Sequence, residues 1–180
     1  LSLVPGRLEQ LARVGAPNAF GSQRFGLRGN NADVGAALLR GDAEAALAEI
    51  LGRTSERDTG RFREAREAFD RGDLSAARQA WPRDCRLEAR LLQALERGGD
   101  AAAALAAADK RDLLFYLHAW QSAGFNRVLA ARWDAARGVT LETGDLAMRL
   151  PGGRTSFEVT DLATEQARAA QLEIAATGPL

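Results

Sequence analysis

Three times in this chain a helical segment runs into Gly-Asp or Gly-Gly-Asp, and an alanine-rich helical segment follows. The stretches are ADVGAALLRGDAEAALAEILG, REAFDRGDLSAARQAW and LLQALERGGDAAAALAAA. Glycine just past a helix ends it by taking a left-handed backbone conformation, and aspartate at the next helix start accepts hydrogen bonds from otherwise orphaned amides. Each stretch therefore reads as a helical hairpin with a short connection. Gly41, Gly72 and Gly98 recur at an irregular interval near thirty residues, which raises the possibility of a helical-repeat array. Few other positions match between the copies, so ordinary capped hairpins are the first expectation.

The remaining chain divides around these hairpins. Leu8, Leu11 and Val14 have the spacing of a short amphipathic helix over 7–14. Residues 15–31, GAPNAFGSQRFGLRGNN, carry too many breakers for a helix and read as an extended or looping segment. GRTSERDTGRFREAR is dense in charge and is expected to be a mobile linker, with Arg61, Arg63 and Arg66 pairing Glu64 and Glu67 on solvated helix faces. A strong helix starts at Asp112, and its first half is apolar on nearly every side, as a buried helix would be. Beyond Gly138, VTLET, LAMRL and TSFEV are strand-like, a helix is expected over 161–171, and LEIAATGPL reads as a last strand. Helices followed by a small sheet near the C-terminus make the fold class α+β, mostly helical.

Familiar catalytic patterns are missing. His118 is the only histidine, so a multi-histidine metal site cannot form; it lies inside the apolar helix and reads as a core residue. No phosphate-binding glycine loop occurs. Cys85, the single cysteine, precludes an intramolecular disulfide, suits a reducing cytoplasm and reads as a packed or idle thiol rather than a nucleophile. The apolar run Leu113–Trp120 is far too short to span a membrane, and LSLVPGRLEQ lacks the layout of an export signal. Net charge is zero, which argues against a polybasic arm. Lys110 is the only lysine, and arginine suits bidentate phosphate contacts, although a GC-rich genome also explains such a bias. What remains is the Pro17–Gly26 loop, followed by Asn30 and Asn31. It is either a packed loop with two aromatic anchors or a base-binding loop, in which an aromatic face stacks on a base and arginine holds a phosphate.

That loop resembles the PN-x-FG-x-QRFG signature of the TruD family of pseudouridine synthases, through Asn18, Phe20, Gly21, Gln23, Arg24, Phe25 and Gly26, followed by the family's GNN turn. Further landmarks follow in family order. They are Leu38–Asp42, then Gln121-Ser122 with Phe125-Asn126-Arg127, then Gly144-Asp145 and Thr177-Gly178-Pro179-Leu180. Ala19, Gly124, Thr143 and Ala176 depart from the family's usual residues.

The resemblance implies isomerisation of a specific tRNA uridine to pseudouridine by a cytoplasmic enzyme that uses an aspartate nucleophile and no metal or cofactor. It implies tRNA as partner, with no membrane, and leaves the oligomeric state open. Asn18, Phe20, Gln23, Arg24 and Phe25 would bind substrate or support the active site, with Phe20 against the flipped uracil and Arg24 reaching a phosphate. The family's catalytic aspartate lies upstream in a Lys-Asp motif. Here Asp109-Lys110 is reversed and Asp112 sits in Arg-Asp-Leu-Leu, so no catalytic residue is expected within this chain. The chain is then expected to be part of a longer protein or a degenerate product. Residues 1–52 would be part of the catalytic domain, 53–110 a helical connection and 111–180 part of the family's insertion domain. Two other readings stand beside this one: a non-catalytic helical-repeat interaction module, and a catalytically dead RNA-binding relative.

Overall fold

The computed structural model describes residues 3–134, 138–150 and 152–179, which group into two compact units, 1–19 with 124–180 and 20–123. The α+β expectation holds. The sequence-based boundaries at 52 and 110 differ from this grouping.

The unit of residues 20–123 is built from three helical hairpins. Following α1 (Leu3–Val14) of the other unit, they are α2 (Asn31–Leu39) with α3 (Ala43–Leu51), α4 (Gly60–Asp70) with α5 (Leu74–Ala80), and α6 (Arg86–Glu96) with α7 (Ala101–Ala106). All three use one device. Gly41, Gly72 and Gly98 sit at φ +71°, +80° and +83°. The amides of the next residues, Asp42, Asp73 and Gly99, donate to Ala37, Ala68 and Ala94 one turn inside the helix just ended, at 3.0, 2.9 and 3.1 Å. Asp42, Asp73 and Asp100 then accept from the amides of Ala45, Ala76 and Ala103 at 3.0, 2.9 and 2.8 Å. Stop and start are thus satisfied within three or four residues.

Buried alanines at 37, 46, 65, 68, 77, 101 and 104 let the helices approach closely. Val34, Leu47, Ile50, Leu51, Trp81, Leu91, Leu92 and Leu105 fill the core they share. In an open repeat array each hairpin touches only its neighbours. Here α3 of the first hairpin packs on α7 of the third, so the hairpins close on a single core and the stacked-array reading fails.

The charged segment expected to be a mobile linker is instead ordered by a buried ionic hub. Asp58, only 4% exposed, accepts from the Ser55 amide and hydroxyl at 2.8 Å each and from Arg66 Nε at 3.0 Å. Arg66 is buried as well, rather than lying on a solvated face. It donates to the Ile50 and Gly52 carbonyls at 2.6 and 3.3 Å, and its guanidinium lies 4.9 Å from the Trp81 ring centroid. Arg63 donates to the carbonyls of Asp58 and Ser55, while the Arg63–Glu67 pair forms at helical spacing as expected. A charge run reads as a solvated linker unless its carboxylate finds several donors, which sequence alone does not reveal.

α8 (Lys110–Arg132) starts two residues before Asp112 and ends at β1 (Trp133–Asp134), which pairs antiparallel with β2 (Gly138–Val139). The helix is not buried all round. Ala119 and Ser122 are buried and Leu113 and Tyr116 partly so, one stripe at three-residue spacing, whereas Leu114, Phe115 and Trp120 are 41–49% exposed. His118 is turned about 200° from Tyr116 around the axis and is exposed, so it is not a core histidine. Of VTLET only Val139 is in a strand.

In the other unit, β3 (Asp145–Arg149) lies between β4 (Ser156–Glu158) and β5 (Ile174–Pro179) in an antiparallel sheet, with α9 (Leu162–Ala170) capped by Asp161. Leu141, Ala147, Val159 and Ile174 form its core. Asp145 takes both nitrogens of the Arg132 fork at 2.6 and 2.7 Å and the Glu142 amide at 2.8 Å. A bulge falls between the Leu146↔Gly178 and Ala147↔Ala176 pairs, and Thr177, inside it, donates its hydroxyl to the Leu146 carbonyl at 3.0 Å. Leu180 lies outside the described residues.

Burial pushes the Asp58 carboxyl upward, but the Ser55 hydrogen bonds and the Arg66 and Arg28 charges outweigh it and hold it below the usual range. A carboxyl depressed in the folded state stabilises above its unfolded pKa of about 3.9, and that contribution is lost as pH falls through the folded value. Asp58→Ala is expected to cost about 3–5 kcal/mol, because it leaves buried arginine uncompensated. Asp58→Asn should also flatten the loss of stability below about pH 4. Urea unfolding at neutral and acid pH measures both; an unchanged midpoint at pH 7 in the alanine variant would mean that the hub does not stabilise the fold.

Candidate nucleic-acid interface

The signature loop is shaped by its backbone before its side chains act. Ser22–Arg24 form a single 3₁₀ turn, with the Arg24 amide donating to the Gly21 carbonyl at 3.0 Å and the Phe25 amide to the Ser22 carbonyl at 2.9 Å. Gly26 follows at φ +79°, and the chain turns again as the Gly29 amide donates to its carbonyl at 3.0 Å. A Cβ on Gly26 would lie 2.8 Å from Asn31 Oδ1. Backbone conformation favours glycine there, and a Cβ would displace the Asn31 side chain that holds the loop.

The two asparagines of the GNN turn fasten the loop to the bundle. Asn31, which the sequence pattern left in the loop of 15–31, opens α2, and its Nδ2 donates to the Arg24 carbonyl at 3.2 Å. Asn30 Nδ2 donates to the Glu49 carbonyl and carboxylate at 3.0 and 2.9 Å. Between them and the turn, Arg28 donates to the carbonyls of Glu49 and Arg53 at 2.8 and 2.5 Å and sets its Nε 3.4 Å from Asp58. The loop is thereby tied to the ionic hub.

Of the five residues singled out from sequence, Phe20, Gln23, Arg24 and Phe25 come together in this unit, while exposed Asn18 is grouped with the other. Phe20 is 41% exposed, and the Arg24 guanidinium carbon lies 5.5 Å from its ring centroid. The attraction of a cation to a ring face does not consume the N–H donors of the guanidinium. Exposed Gln23 and half-buried Phe25 line a cleft of about 650 Å³ with Ser22, Gly26, Leu27, Gly29 and Arg57.

Sequence reading missed three features of this surface. Leu27 is 97% exposed at the cleft; an apolar residue between two turn glycines was the available signal. Arg57, from the supposed linker, reaches the cleft and donates to the Arg28 carbonyl at 3.0 Å. Phe115, far along the chain, places its ring 5.8 Å from the same Arg24 guanidinium, and nothing in the sequence pointed to that.

A second cavity, of about 320 Å³, is lined by Arg28, Arg57, Arg66, Glu49, Asp58 and Glu88 among others. Its positive and negative side chains balance, and Arg28 and Arg66 are engaged in the hub, so it is a poor anion site. The Cys85 thiol is pushed up to about 11 by burial and by the charges of Glu88 and Asp84, which fits an unreactive cysteine. Among the described residues no cluster of histidine, cysteine or acidic side chains could hold a metal, and no helix is long and apolar enough to cross a membrane.

A family model described as tRNA pseudouridine synthase D (TruD) matches residues 2–180. The tRNA pseudouridine synthase D of Geobacter sulfurreducens is 41% identical over 174 residues, covering 96% of this chain and 42% of that protein. That of Geotalea daltonii is 40% identical over 174 residues, covering 96% of this chain and 43% of the relative. A crystal structure of a Methanosarcina mazei protein described as tRNA pseudouridine synthase D superposes with a TM-score of 0.77 at 22% identity, over 92% of this chain and 40% of that one; this likeness concerns the fold. The chain thus spans less than half the length of the relatives it matches.

The loop's conformation can be tested apart from any activity. Gly26→Ala is expected to destabilise the protein by about 1–2 kcal/mol from the left-handed backbone alone, and Asn31→Ala by about 1 kcal/mol for the lost hydrogen bond. Amide hydrogen exchange should show faster exchange at Phe25 and Gly29 in both variants. Protection unchanged from the parent would mean that the loop does not depend on these two residues.

Proposed function

Because the chain belongs to the tRNA pseudouridine synthase D (TruD) family, we propose that it forms part of a cytoplasmic enzyme that isomerises a uridine in tRNA to pseudouridine. The single observation that carries this reading, beyond membership, is the signature loop: a half-exposed Phe20 with the Arg24 cation on its ring, held on a rigid base.

The reaction breaks the N-glycosidic bond, turns the uracil and rejoins it to the sugar through carbon. A base in a stack cannot reach a nucleophile, so the target nucleotide has to be extruded. In this reading Phe20 offers a stacking face for the extruded base, and Arg24 directs its N–H edges to a phosphate. Gln23 and Phe25 form the wall of the adjoining cleft, and Asn18 orients the approach to the loop. The attacking aspartate is contributed from outside this chain. In support, the two buried aspartates among the described residues are both committed, Asp58 to arginine and Ser55, Asp145 to Arg132. Residues 1–52 belong, in the same proposal, to the catalytic domain, 53–110 to a helical connection and 111–180 to the insertion domain.

Release of tritium from 5-tritiated uridine in tRNA tests the assignment. The full-length protein is expected to release it and the 180-residue chain alone is not. In the full-length protein Phe20→Ala should lower the rate about ten- to hundredfold, as loss of a stacking interaction worth 1–3 kcal/mol would, with the melting temperature within a few degrees of the parent. Turnover by the chain alone would mean that the nucleophile lies within it. Loss of stability with an unchanged rate per folded molecule would make Phe20 a packing residue.

Affinity for tRNA gives a separate check. With zero net charge, the chain alone should bind tRNA no more tightly than the weak end of non-specific binding, about 10⁻⁴ M, and binding should fall steeply with salt. Arg24→Ala should make the salt dependence slightly shallower. Tight binding that ignores salt would contradict this electrostatic picture.

A further inference from the structure

Arg24 has a second aromatic partner, and that partner lies outside the signature loop. The guanidinium carbon is 5.5 Å from the Phe20 centroid and 5.8 Å from that of Phe115 on α8. Phe115 contributes little to the core: it is 41% exposed, and its ring meets Tyr116 edge-on at 6.0 Å and 63°. An aromatic ring left at the surface against a cation is placed for the cation rather than for burial.

Both ends of this contact are referenced to the same helix. At Gly35 of α2, a Cβ would lie 2.2 Å from the Tyr116 carbonyl oxygen and 2.9 Å from Trp120 Cβ, so α2 and α8 meet backbone to backbone. The first residue of α2, Asn31, holds the Arg24 carbonyl. One rigid element thus sets the main chain of Arg24 and the helix that carries Phe115, and the guanidinium is caught by two rings instead of one.

We propose that Phe115 is a positioning residue: it holds the Arg24 guanidinium on the Phe20 ring and so presets the plane against which the target uracil stacks. This rests on the stacking role given to Phe20 above. A cation over a ring is attracted by the ring's negative face, so leucine, which fills similar space without a π-system, cannot replace phenylalanine here, whereas tyrosine can.

The test is single-turnover kinetics of the full-length enzyme on tRNA, with rates per folded molecule. Phe115→Leu is expected to lower the chemical rate about two- to fivefold with KM and melting temperature unchanged, and Phe115→Tyr to restore the parent rate. In an Arg24→Ala background, Phe115→Leu should cost nothing further, because the contact it supports is already gone. Parent-like kinetics for Phe115→Leu, or a loss that adds in full to that of Arg24→Ala, would overturn the proposal. A lowered rate in Phe20→Ala beside a normal rate in Phe115→Leu would sink the positioning role alone. An unchanged rate in Phe20→Ala would sink the stacking role and this inference with it.

Discussion

The helical unit depends on a carboxylate that has been taken out of water. Asp58 is charged, nearly inaccessible and surrounded by Arg66, Arg28 and the two donors of Ser55. A buried charge is tolerated only when paired and hydrogen-bonded, and each partner here brings a different piece of chain. Arg66 draws in the end of α3 through the Ile50 and Gly52 carbonyls, and it lies on the Trp81 ring at the end of α5. Arg28 draws in the loop that carries Phe20 and Arg24. The hub therefore acts as the joint between scaffold and candidate site, and ties the loop's position to the folded core.

Surrounding that joint, the fold is assembled by economical local means. The Gly-Asp connections satisfy the ends of two helices with almost no loop, so the hairpins form from contacts close in sequence. Alanine at the interfaces shortens the distance between helix axes, which suits backbone-close packing such as that at Gly35. The second unit follows the same pattern at smaller scale. Asp145 gathers Arg132, the Glu142 amide and the start of β3, doing for a small sheet what Asp58 does for the bundle.

What could be read from sequence follows the range of the interactions involved. Gly41-Asp42, Gly72-Asp73 and Gly98-Gly99-Asp100 were legible because caps are local, and so were α9 and the edges of the sheet. The Asp58 hub was not, because its partners are spread from Arg28 to Arg66 and a charged run looks the same whether its carboxylate is solvated or enclosed. His118 and the half-exposed α8 were misread for a related reason. Apolar composition around a helix says that partners are needed, but not which of them this chain supplies. Within the site, the signature motif marked Phe20, Gln23, Arg24 and Phe25 through resemblance, while Phe115 and Arg57 reach the loop only through tertiary packing.

Under the proposed function, the placement of arginine over aromatic rings also bears on how this part of the protein, whose 180 residues carry zero net charge, meets RNA. Long-range attraction to phosphate scales with net positive charge, and here there is none to use. In the proposed reading, what these residues contribute to recognition is short-range contact whose geometry is set in advance. Arg24 meets that need, since two rings restrict its side chain and its donors lose less freedom when they meet a partner. Arg28 and Arg66, by contrast, are consumed by the hub and cannot contribute. The arginines around the hub and loop thus divide: Arg28 and Arg66 fix the scaffold, and Arg24 and Arg57, at the loop and cleft, are the ones the proposed reading turns toward a polyanion.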